Sequence, residues 1–149
     1  MNEIRERLVA ILDDIKTEIT INRASLITED GLVIATNSDI EDMNDEINVN
    51  FAAISASILS MAERGIEIIN DNKILEQIKI DAGFDQNSDA DFTILITRVY
   101  SNVLLLLIFP KSENIGLIQY ETTKNVKKIR TMIKQDTSRE LFNSLGSLT

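Results

Sequence analysis

The run Asp85-x-Asn87-x-Asp89 places three oxygen-bearing side chains at the spacing that opens an EF-hand calcium loop. Such a loop also needs Gly at its sixth position, for a sharp turn, and a bidentate Glu at its twelfth. Those positions hold Ala90 and Ile96. The flanks alternate like strands, so the segment reads as a loop between two strands and no calcium site is expected. A second group of acids, five carboxylates between Asp39 and Glu46, lies in the polar stretch 37–46. Carboxylates at this density suit a cation or a basic partner. They also suit a solvated loop whose last members favour the start of a helix, where the helix dipole is positive. The solvated loop is the expectation.

The rest of the chemical inventory is short. The chain has no His and no Cys, which removes the commonest general base, the commonest transition-metal ligands and all thiol chemistry. It has five Gly, and they form neither of the Gly-rich loops that cradle phosphates. No zinc-protease or nucleophile-elbow motif occurs. No catalytic residue, cofactor site or metal site is therefore expected, and the chain does not read as an enzyme. A formal net charge of −9 disfavours nucleic acid and anionic membrane surfaces as partners. A basic patch on another protein stays compatible with it. The longest apolar run, Val103 to Phe109, is too short to span a bilayer as a helix. The charged, amphipathic start does not resemble a signal peptide, so a soluble cytoplasmic protein is expected.

A chain of 149 residues, 44% hydrophobic but only 5% aromatic, suits one domain with an aliphatic core. Apolar residues at Ile4, Leu8, Ile11, Leu12, Ile15 and Ile19 predict a helix over 3–19. Ser25–Thr28 and Leu32–Thr36 flank Asp30-Gly31 and predict a hairpin. A second helix is expected from Asp45 to Arg64, with Gly65 as its stop. Three strands follow, Ile74–Ala82, Phe92–Val99 and Asn102–Phe109, the last apolar enough for a central strand ended by Pro110. A third helix over 113–135 buries Ile115, Ile118, Thr122, Val126, Ile129 and Ile133. Residues 1–135 thus form the domain. Residues 136–149 form a tail, which Leu141, Phe142 and Leu145 could fold into a short amphipathic helix. The order α-β-β-α-β-β-β-α specifies an α+β, sandwich-like fold: a five-stranded, mostly antiparallel sheet with flanking helices.

The second helix is unusual. Ile47, Phe51, Ile54, Ile58, Met61 and Ala62 cluster on one side of a helical wheel and read as the core face. Val49, Ala52, Ala53, Ala56, Leu59 and Ser60 lie opposite. No charge falls between Ile47 and Ala62, whereas a surface helix ordinarily shows a charged outer face. The outer face needs a cover, either the chain's own tail or a second copy packing across a two-fold. Self-association is the expectation, through Val49, Ala52, Ala53, Ala56, Leu59 and Ser60, with Ile74 and Ile78 on a strand at the sheet edge. Asn48, Asn50, Ser57, Glu63 and Arg64 flank this seam as a polar rim.

This pattern resembles the roadblock/LC7 family, which includes dynein light chains and bacterial MglB-like regulators. The resemblance runs over residues 3–134. It is carried by the leading amphipathic helix, by Ala24–Ala35 with its Asp30-Gly31 turn, by the Ala/Ser-rich helix Phe51–Ser60, and by the strand run ending in Leu104–Leu107. The resemblance implies a homodimer or heterodimer built on the second helix and third strand. It also implies partnership with a small Ras-like GTPase as activator, exchange factor or scaffold, with no catalytic residue to carry over. Asn48, Asn50, Ser57, Glu63 and Arg64 are then the candidate GTPase contacts. The long loops at 38–46 and 83–91 and the tail depart from the family pattern. Two other functions compete: an adaptor without effect on nucleotide turnover, and a small-molecule sensor of PAS, GAF or profilin-like type. A sensor needs a cavity with convergent polar groups, while the aliphatic strands here suggest a filled core.

Overall fold

Eight consecutive residues, Val103–Pro110 (β5), are buried up to the terminal proline, and the rest of the sheet is built outward from them. On one side β5 pairs with Arg23–Thr28 (β1), which pairs with Val33–Thr36 (β2). On the other it pairs with Phe92–Tyr100 (β4), which pairs with Gln77–Ala82 (β3). All four pairings are antiparallel, and the order is β2-β1-β5-β4-β3. This computed structural model describes residues 2–40, 45–83 and 91–135. The EF-hand-like run, the middle of the acidic loop and the tail after 135 lie outside them.

Strand side chains alternate between faces, so an all-apolar β5 must be covered twice. Leu95, Leu105, Leu107 and Phe109 meet the helices Asn2–Glu18 (α1) and Ile115–Gln135 (α3) on one face. Ile27, Ile94, Ile96, Leu104, Leu106 and Ile108 line the other, under the helix Glu46–Ile69 (α2). The result is a sheet sandwiched between two helices and one. In α3 the expected stripe is buried from Ile118 onward, while Ile115 stays 40% exposed.

Most boundaries differ from those expected by one or two residues, and three of the differences bear on the surface. β3 begins at Gln77, so Ile74 precedes it. β5 includes Pro110, whose partner is Phe92. Most consequentially, α2 continues past Gly65 to Ile69. A helical Gly costs about 1 kcal/mol relative to Ala but does not force a stop. The flanking Glu63 is held by Arg98, and Ile66 is half-buried.

The helix α2 is rotated from the expected orientation: Phe51, Ile58 and Ala62 of the expected core face are half-buried and Val49, Ala53 and Ser60 of the outer face are exposed, but the rest of each face changes sides. Ala52, Ala56 and Leu59 face the sheet, with exposures of 0%, 8% and 2%, while Ile47, Ile54 and Met61 point to solvent at 50%, 54% and 71%. The cause is the β1–β2 turn. Gly31 has φ +89°, and a Cβ there would lie 3.1 Å from the Ala53 Cα and 3.3 Å from the Ala52 carbonyl oxygen. The turn presses on the backbone of α2 at Ala52 and Ala53, so only small side chains fit there. Ala52 and Ala53, expected in a seam with a second copy, lie instead against the chain's own hairpin.

Candidate interaction surface

Two arginines pin α2 to the sheet. Near its start, Asp45 caps the helix by accepting from the Asn48 backbone N–H at 2.9 Å. The same carboxylate accepts both Nη groups of Arg23, at 3.1 and 3.3 Å. Buried Asn48 accepts from Arg23 Nη1 at 2.6 Å and from Ser25 Oγ at 3.2 Å through its Oδ1. Farther along, Arg98 of β4 donates to Glu63 of α2, to Glu29 Oε1 in the hairpin turn (2.7 Å), and to the carbonyls of Ser101 (2.6 Å) and Leu75 (3.0 Å). One rigid fork therefore joins a helix, a turn and the segment before β3.

These contacts tune three carboxyls. The Asn48 N–H, and then Arg23, hold Asp45 below the usual carboxylate range. Lys16 and then Asn37 do the same for Asp39, and Lys79 and then Thr93 for Asp81. A carboxyl depressed in the folded state stabilises above its unfolded pKa, and that contribution is lost as pH falls through its folded pKa. Thermal stability should therefore be flat from pH 7 to 5 and decline below about pH 4. Asp45→Asn should show a shallower decline, which melting curves across pH 2–7 would check. Parallel profiles for the two proteins would remove Asp45 from this account.

With its small face inward, α2 shows solvent a stripe of Ile47, Ile54, Met61 and Ile68, the last 87% exposed. Spacing of seven keeps such residues on one side of a helix. Among the described residues, seven of the eleven strongly exposed large apolar side chains fall between Ile47 and Ile74, and the four at spacing seven make this stripe an apolar patch. The patch adjoins a shallow groove of about 380 Å³, where Ile47 and Phe51 of α2 meet Phe92, Ile108 and Pro110 of the sheet. Beyond it Ile78 and Ile80 of β3 are half-buried. Among the described residues β3 pairs on one side only, with β4. An apolar helix flank, an apolar groove beside its first turns and an open strand edge are thus the features available to a partner.

The expected interface residues divide accordingly. Val49, Ala53, Ser60 and Ile74 are exposed and Ile78 is half-buried. Ala52, Ala56 and Leu59 are core residues and present nothing to a partner. Of the expected GTPase contacts, Asn50, Ser57 and Arg64 are exposed. Asn48 is buried under Arg23, and Glu63 is engaged by Arg98. The surface residues that sequence reasoning missed are Ile47, Ile54, Met61 and Ile68. Their signal was the spacing of seven, which continues past the supposed stop at Gly65.

No protein-family model matches this chain, and no curated protein sequence matches it. Solved structures do. The gliding protein MglB of Thermus thermophilus superposes with a TM-score of 0.72 at 14% identity, over 89% of this chain and 92% of that one. Myxococcus xanthus MglB gives 0.70 at 15% identity, over 87% and 96%. A Roadblock/LC7 domain from Streptomyces avermitilis gives 0.69 at 15%, over 84% and 96%. Identity this low leaves the backbone path as the point of likeness: this chain has a roadblock/LC7-like fold.

Proposed function

We propose that this protein is a non-catalytic, dimeric regulator or scaffold that binds a small Ras-like GTPase. The observation that carries the reading is the exposed apolar stripe of α2 beside the open edge of β3, on a fold whose family resemblance implies dimers and GTPase partners. In a two-fold dimer the stripe from each copy covers the other, and the exposed Asn50, Ser57 and Arg64 rim the seam. Residues 1–135 are the working domain, with 136–149 as a tail.

The test is nucleotide hydrolysis and binding with purified components. The protein alone should hydrolyse no GTP. One host Ras-like GTPase should bind it, with a preference for one nucleotide state. Association should slow as salt rises, because the chain's acidic surface would steer a basic patch. Arg64→Ala should weaken binding modestly, about two- to fivefold, as expected for an exposed rim contact. GTP hydrolysis by the protein alone would overturn the non-catalytic reading. Failure to bind any host GTPase in either state would overturn the partner.

A further inference from the structure

The formal net charge of the chain is −9, yet α3 carries five of its fifteen basic residues against one carboxylate, Glu121. Lys127 and Arg130 of α3, one turn apart, line a groove of about 650 Å³ between this helix and the sheet margin. Lys73, in the segment leading to β3, lines its other wall, and Glu76 is the single carboxylate there. Among the described residues little of the groove's charge is consumed internally. Among the described residues neither Lys73 nor Lys127 has an ion-pair partner. Arg130 donates Nε to the Val99 carbonyl at 2.5 Å, which anchors the guanidinium at the groove. Arg98 also reaches the lining, but its charge is met by Glu29 and Glu63.

The remaining lining is built for polar recognition. Gln77 of β3 and Gln119 of α3 exchange amide hydrogen bonds of 3.1 and 2.8 Å across the groove, and Gln77 also donates to Thr97 Oγ1 at 3.0 Å. Thr123 adds an exposed hydroxyl, and Val126 and Ile74 add apolar surface. Gln77 and Thr97 are register partners and share the α3 side of the sheet with Leu95. The groove is thus on the face opposite α2, and its chemistry does not depend on the apolar stripe.

We propose that this groove binds a small phosphate-bearing anion of two or more negative charges, of the organic diphosphate class. Three unneutralised cations from two walls exceed what one carboxylate can satisfy, and they match the several oxygens of a diphosphate. The volume falls within the usual range for small-molecule sites. The amide pair and the Val126–Ile74 surface suit the organic part.

Sodium pyrophosphate is the first probe, titrated at constant ionic strength into the full-length, isotope-labelled protein. Saturable amide shifts are expected at Gln77, Thr123, Lys127 and Arg130. Lys73→Gln combined with Lys127→Gln should weaken binding about tenfold. The melting temperature should hold, since neither side chain has an ion pair to lose among the described residues. Unsaturable shifts spread over Lys111, Lys128 and Lys134 would overturn the proposal. So would an unchanged affinity in the double variant. Tighter binding of a short polyglutamate peptide at the same residues would replace the proposed ligand with an acidic segment of protein.

Discussion

Ile54→Glu is expected to yield a folded monomer, whereas Ala56→Glu, two residues along the same helix, is expected to yield no folded protein. The contrast follows from their directions. Ile54 is 54% exposed and Ala56 is 8% exposed in the single chain. A carboxylate at Ala56 would start from a buried position on the same inward helix face as Ala52 and Leu59. Desolvating an unpaired charge costs several kcal/mol, against a total stability of about 5–15 kcal/mol for a domain. A carboxylate at Ile54 stays hydrated in one chain. In a two-fold dimer it appears twice on the same seam, replacing apolar contact with like charge. Sedimentation velocity with far-ultraviolet circular dichroism separates the outcomes. A dimeric Ile54→Glu protein would refute the assignment of the stripe as the seam. A folded Ala56→Glu protein would refute the orientation of α2.

Arg98→Ala should lower stability by about 2–3 kcal/mol, or roughly 6–10 °C in melting temperature for a domain of this size. The side chain is only 11% exposed, while Glu29 and Glu63 are 37% and 30% exposed. The carboxylates can therefore rehydrate in part, which keeps the cost below that of breaking a fully buried pair. The Leu75 and Ser101 carbonyls lose their donor as well. Arg98→Lys should recover less than half of the loss, because one ammonium cannot serve two carboxylates and two carbonyls held in fork geometry. Amide exchange should accelerate over residues 63–69, since Arg98 anchors that end of α2. An unchanged melt in Arg98→Ala would show the fork to be dispensable. The two arginine clips also bear on the proposed function, because they hold the apolar stripe rigid and so limit the ordering cost of association.

The element types and their order were legible in the sequence, because periodicity is a local property. Alternation marked β4. The unbroken apolar run of β5 marked a strand covered on both faces, and Asp30-Gly31 marked the hairpin. The absence of His and Cys likewise removed whole classes of chemistry without reference to any fold. Charge pattern also pointed to α2 as the helix with an exceptional surface.

Which face of α2 is the surface was decided only by the tertiary structure. Both faces lack charge between Ile47 and Ala62, so hydrophobicity alone favoured turning the bulky Ile side inward. The decisive contacts are long-range. Gly31 meets the backbone at Ala52 and Ala53, Arg23 and Ser25 satisfy buried Asn48, and Arg98 holds Glu63. The same holds for the basic groove. Lys73, Gln77, Lys127 and Arg130 come from separate stretches of the chain and become one site when α3 crosses the margin of the sheet. Spacing along a chain reports which residues share an element. Which elements press close enough to exclude a side chain, or to gather charges, is set by backbone separations that exist only after the sheet and its three helices have packed.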